Sequence, residues 1–110
     1  MRIEKKEHFT LISPDENSFT AFYDAFLIED KKHQKENIII RISNNFNITT
    51  EEFLLFLKIA TQKKENGTSF VIVNSAIDID DFPESFNVTP TLQEAEDVIE
   101  MEAIERELGF

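Results

Sequence analysis

The chain has 110 residues, with 22 acids against 11 bases and a formal charge of −11. Residues 1–66 hold ten Lys/Arg and eleven Asp/Glu, whereas residues 67–110 hold eleven acids and a single base, Arg106. This balance argues against binding nucleic acid through its phosphates and against docking on an anionic membrane, since both need Lys and Arg in excess. There is no Cys, which excludes disulfides, thiolate nucleophiles and Cys-ligated metals.

The length fits one domain, and eleven Phe with many Ile, Leu and Val supply one core. Met1–Glu7 is charged, and no apolar stretch follows it. No run approaches the ~18 apolar residues of a membrane span. A cytoplasmic protein without a signal peptide is expected.

In chain order, Phe9–Ile12 is β-rich and reads as a strand. Ser13–Asn17 is turn chemistry leading into a helix. Phe19, Phe22, Tyr23, Phe26 and Leu27 then recur at helical spacing, which predicts an amphipathic helix with an aromatic stripe. It ends in the charged stretch Glu29–Glu36. Asn37–Ser43, with three consecutive Ile, predicts a strand covered on both faces. Thr49–Glu52 opens a second helix that runs to Asn66-Gly67, with Phe53, Leu54, Phe56, Leu57 and Ala60 buried. Lys58, Lys63 and Lys64 place positive charge towards its C-terminal end. Ser69–Asn74 is a further apolar strand, Ile77–Phe86 an acidic loop or short helical turn, and Asn87–Pro90 a short strand. Thr91 caps a final acidic helix, with Glu94 at the capping-box position and Leu92, Ala95, Val98, Ile99 and Met101 inward. Strand–helix alternation of this kind predicts an α/β fold, a mostly parallel four- to five-stranded sheet with helices packed on it.

Chemistry-bearing motifs are sparse. Two glycines cannot write a dinucleotide fingerprint or a Walker loop. His8 and His33 are the only histidines, and both read as solvated side chains. Asp78–Glu84 has spaced carboxylates, but Pro83 stands where a calcium loop needs glycine, so it reads as a solvated acidic loop. The outward Glu residues of the last helix read as a solvated face. No catalytic residue, metal ligand or cofactor is expected, and the chain is not read as an enzyme. Thr49 and Thr50 are weighed twice: as a helix cap and its neighbour, or as a phosphoacceptor at a helix N-terminus. On physical grounds the cap reading is preferred, because Glu51 and Glu52 would repel a phosphate.

From Asn37 to about Ile99 the chain resembles a STAS domain, the fold of anti-sigma factor antagonists and of sulfate-transporter cytoplasmic tails. Three pieces carry the likeness. Ile38-Ile39-Ile40-Arg41-Ile42-Ser43 looks like the family's central strand. Ile48-Thr49-Thr50-Glu51-Glu52-Phe53-Leu54 falls where the family has its Asp-Ser-Ser/Thr-Gly-Leu switch opening a helix. Val88-Thr89-Pro90-Thr91-Leu92-Gln93-Glu94-Ala95 looks like its closing strand-to-helix sequence. The acidic tail from Glu94 onwards resembles a group of small STAS-like proteins of Bacteroidetes-type bacteria, sometimes found beside a ribonuclease Z.

The resemblance implies one STAS-like domain over residues 1–110 with an acidic C-terminal helix. It implies a non-enzymatic protein-interaction module, most like an anti-sigma factor antagonist, whose partner is an anti-sigma factor or kinase-like protein. Thr50 stands at the acceptor position, with Thr49 before it where the family has Asp. Glu51 and Glu52 replace the following Ser/Thr and Gly, so either the switch is lost or the acids imitate a phosphorylated state. The expected contacts are Asn44, Asn45, Asn47, Glu51, Glu52, Ser75 and Asp78. The alternative is an accessory or regulatory subunit of a basic enzyme, such as a neighbouring ribonuclease Z, contacted through the acidic C-terminal helix. The oligomeric state is left open.

Overall fold

A computed structural model describes residues 1–77, 80, 82–83 and 86–109. Five strands, β1 (Arg2–Lys5), β2 (Thr10–Ser13), β3 (Ile38–Arg41), β4 (Phe70–Val73) and β5 (Val88–Thr89), form one sheet in sequence order. β1 pairs antiparallel with β2, and all other neighbours are parallel. Among the described residues four helices accompany them: α1 (Phe19–Asp30), α2 (Thr50–Leu54), α3 (Leu57–Glu65) and α4 (Leu92–Glu107). The α/β class and the mostly parallel sheet agree with expectation. β1 was not expected, because its residues are charged and show no apolar alternation. As the antiparallel edge it exposes those charges, which discourages pairing with another chain.

The register sorts the strand residues into two faces. Ile12, Ile40 and Ile72 lie side by side, as do Ile38 and Phe70, and all five point into the larger core with Phe22, Phe26 and Phe56. Leu11, Ile39 and Val71 form the row between them and point the other way, into a smaller core with Ala95 and Ile99 of α4. Ile38, Ile39 and Ile40 are all fully buried, which is why three consecutive Ile suit this strand. In a sheet whose strands follow one another in order, right-handed crossovers put every connection on one face. Hence α1, α2 and α3 share the larger core with Phe82 and Phe86 of the β4–β5 connection. α4 follows the last strand and covers the opposite face.

The expected second helix is two helices. Leu55 N–H bonds to Glu52 C=O at 3.1 Å and Phe56 N–H to Phe53 C=O at 3.0 Å, the tighter three-residue pattern, before Ala60 N–H bonds to Phe56 C=O at 2.9 Å. The tight turn between α2 and α3 lets Phe53 and Phe56 both face the core while Leu55 points to solvent. Phe56 meets Phe19 edge-on at 5.8 Å and also packs on Phe26 and Phe70.

Two inward assignments are corrected, and one charged residue proves to be buried. Leu27 is on the solvent side of α1 because Phe19, Phe22 and Phe26 already fill its inner face. Met101 is 61% exposed, since the inner stripe of α4 runs Ala95, Ile99, Glu102 and Arg106 and leaves Met101 on the far side. Lys63, expected as one of the positive charges at the C-terminal end of the helix, is 2% exposed. It continues the buried stripe of Phe56 and Ile59. Its Nζ donates to His33 C=O at 2.6 Å, and Asp30 Oδ1 lies 3.2 Å away as its ion-pair partner.

His33 is likewise not solvated. Its side chain is 12% exposed, with Nδ1 3.0 Å from Glu36 Oε2 and Nε2 3.3 Å from Glu29 Oε1. Glu36 Oε1 accepts from the Thr10 hydroxyl at 2.5 Å, and Lys5 Nζ is 3.5 Å from Oε2. The Thr10 hydroxyl, with the His33 ring and Lys5 behind it, holds the Glu36 carboxyl down to about 2 against the opposing effect of burial. His8 is exposed, as expected.

Candidate functional site

The carboxyl ends of parallel strands are where open α/β sheets offer a crevice, because the chain must leave the sheet there in loops. In this chain the loop after β3 and the loop after β4 enclose a cleft of about 550 Å³ together with the start of α2. Asn44, Asn45, Asn47 and Asn74 supply its polar lining, and Thr50 lies at its edge. Phe46, Ile48, Phe53 and Ile77 form its apolar wall.

Each wall is fixed locally. Asn74 is buried, donates from Nδ2 to Ile42 C=O at 2.9 Å and accepts at Oδ1 from Ala76 N–H at 2.9 Å. One amide thereby ties the end of β3 to the turn after β4. Asn44 Nδ2 donates to Ser75 Oγ at 2.7 Å and joins the loops again at the surface. Asn45 N–H donates to Ser43 Oγ at 3.2 Å, and Phe46 N–H to Ser43 C=O at 3.0 Å, which closes the turn.

The helix start is a complete capping box. Thr49 Oγ1 accepts from Glu52 N–H at 3.1 Å, and Glu52 Oε1 accepts from Thr49 N–H at 2.9 Å. The box expected at Thr91 and Glu94 is only half made: Thr91 Oγ1 accepts from Glu94 N–H at 3.2 Å without the return bond. Thr49 and Glu52 are thus engaged with each other. Glu51 is exposed, and the Thr50 hydroxyl is exposed and makes no hydrogen bond among the described residues.

Of the expected contacts, Asn44, Asn45 and Asn47 come together around this cleft with Thr50, the expected acceptor. Ser75 joins them through Asn44, and Glu51 stands next to Thr50. Glu52 is withdrawn into the cap. Asp78, and most of the acidic segment around it, lies outside the described residues. Sequence reasoning missed the structural part of Asn74 and the apolar wall of Phe46 and Ile77. Asn74 carries a signal, a polar residue directly after an all-apolar strand; Phe46 and Ile77 carry none.

Chemically the cleft offers neutral amides, one free hydroxyl and an apolar wall, a set suited to hydrogen-bonded recognition of another surface. Among the described residues no group of three His, Asp or Glu side chains is arranged to hold a metal ion, and no helix is long and apolar enough to cross a membrane. No protein-family model matches the chain, and no curated protein matches it.

Proposed function

We propose that the chain is a STAS-like, non-enzymatic protein-interaction module. In this reading it acts like an anti-sigma factor antagonist and docks a regulatory partner on the asparagine cleft at the N-terminal end of the Thr50 helix. One observation carries the reading: the loop that leaves the first family-like piece after β3 and the start of α2, the second such piece, line a single open cleft in which Asn44, Asn45 and Asn47 are exposed amides. The third piece is the β5-to-α4 junction, a strand passing into a capped helix, as the resemblance requires.

The capping box also bears on the switch. Glu52 Oε1 is held by Thr49 N–H, which fixes that carboxylate in the cap, while Glu51 stands exposed beside Thr50. Phosphate on Thr50 would add a charge of about −1.5 to −2 to a lining of neutral amides and expel a partner that fits them. Phosphate on Thr49 would have to break the cap first. Thr50 is therefore the acceptor in this reading.

Titration calorimetry of the full chain against anti-sigma factor kinases of the same genome tests it. The Asn45→Asp/Asn47→Asp variant and the Thr50→Asp variant should each weaken binding by at least about tenfold, equal to about 1.4 kcal/mol. Undiminished binding by both variants, or no binding by the unaltered chain, would overturn the reading.

A further inference from the structure

The two faces of the sheet are covered unequally. Among the described residues three helices pack on one face and α4 alone on the other, where it lies against β4 and β5. Beside α4, towards the start of β2 and β3, runs a second groove of about 550 Å³. Its α4 wall extends from Gln93 to Glu107, about 21 Å of helix at 1.5 Å per residue. Phe9, Ile99, Ala103 and Ile104 give it an apolar strip. Glu96, Asp97, Glu100 and Glu107 stand along the same wall, and His8 and Asn37 form part of the opposite bank. Ile104 is 50% exposed, and Met101 and Leu108 extend the apolar surface outward at 61% and 67% exposed.

Length, an apolar strip and a line of carboxylates together specify an occupant. A helix laid in a groove anchors through apolar residues three and four apart, and its flanking charges must complement the walls. A second copy of this chain fails that requirement. α4 carries seven acids and only Arg106, so two such helices would bring like charges together. We propose that this groove docks a basic amphipathic helix of another protein, with apolar residues seated on Phe9, Ile99, Ala103 and Ile104 and Lys or Arg facing the carboxylates of α4. The groove lies on the opposite face of the sheet from α1–α3 and away from the carboxyl-end cleft, so both surfaces can be occupied at once.

The test uses the full ¹⁵N-labelled chain and a Leu/Lys amphipathic helical peptide as probe. Two control peptides replace its Leu by Ser or its Lys by Glu. The Leu/Lys peptide should shift the amide signals of Phe9, Ile99, Ala103 and Ile104. Ile104→Ser and Glu100→Lys should each weaken it by about tenfold. Both positions are exposed, and circular dichroism checks that the variants fold. Equal binding of the Ser/Lys peptide would reduce the effect to diffuse attraction between charges and overturn the proposal. So would equal binding of the Leu/Glu peptide, shifts centred outside the groove, absence of binding, or sedimentation showing that the chain dimerises through α4.

Discussion

Replacing Lys63 by Met keeps the length of the side chain but removes the charge from a site that is 2% exposed. The lost contacts are the bond from Nζ to His33 C=O at 2.6 Å and the ion pair to Asp30 Oδ1 at 3.2 Å, with Glu36 C=O at 3.5 Å as a weaker third. A hydrogen bond from a charged donor contributes about 1.5–3 kcal/mol, and removing one partner of a buried pair costs about 3–5 kcal/mol because the other charge is stranded. The stem of Met still fills the space between Ile59 and the α1–β3 connection, so no cavity cost is added. Lys63→Met should therefore lose about 3–4 kcal/mol, a large part of the 5–15 kcal/mol typical of a domain. In urea denaturation followed by circular dichroism, at a slope of about 1.5 kcal/mol per M, the midpoint should fall by about 2 M. Adding Asp30→Asn removes the stranded carboxylate and should restore about half of the loss. A single variant within about 1 kcal/mol of the unaltered chain, or a double variant less stable than the single one, would refute this account of the buried lysine.

Thr49→Ala breaks the capping box of α2 and should cost about 1 kcal/mol, a fall of about 4 °C or more in Tm by calorimetry; an unchanged Tm would mean the box contributes nothing. Phe56→Ala empties the centre of the aromatic cluster and should cost about 3–5 kcal/mol in the same urea assay, with a loss below about 2 kcal/mol contradicting its central position. The Glu36 carboxyl is held down to about 2 when folded, against an ordinary value near 4.5, so its stabilising effect is present above about 4.5 and is lost as pH falls towards 2. Glu36→Gln should therefore be less stable at neutral pH and lose less stability on acidification over that window; parallel acid curves for the two chains would contradict it. Phosphorylation by a kinase that modifies the chain should label Thr50 and leave Thr49 unmodified by mass spectrometry; label on Thr49 would show that the cap opens readily.

The elements with a strong apolar period were legible from the chain alone. Ile38–Ile40 and Phe70–Val73 read as doubly covered strands because every residue in them is apolar, and Phe19, Phe22 and Phe26 set the inner face of α1. β1 was not, because a charged edge strand is held by its backbone ladder with β2 rather than by a pattern of side chains. The buried lysine was missed through its residue type, although its spacing from Phe56 and Ile59 marks the inner face of α3. His33 carried a similar signal, with Glu29 four residues before it and Glu36 three after. The Thr-x-x-Glu pattern stands at both Thr91 and Thr49, and the complete box forms at Thr49. Asn44, Asn45, Asn47 and Thr50 were named together because the resemblance implies a contact surface at that helix start, and one short stretch of sequence holds them. Their meeting with Asn74 depends on β3 and β4 being neighbours, which a single stretch of sequence does not express.

In the proposed function the asparagine cleft is a docking surface for a protein. Amide hydrogen exchange of the full chain, alone and mixed with an anti-sigma factor kinase of the class proposed as its partner, measures this. The prediction is slowed exchange in residues 43–52 and 74–77, with the β1 edge unchanged. Exchange in those two segments left unaltered by a bound partner would contradict it.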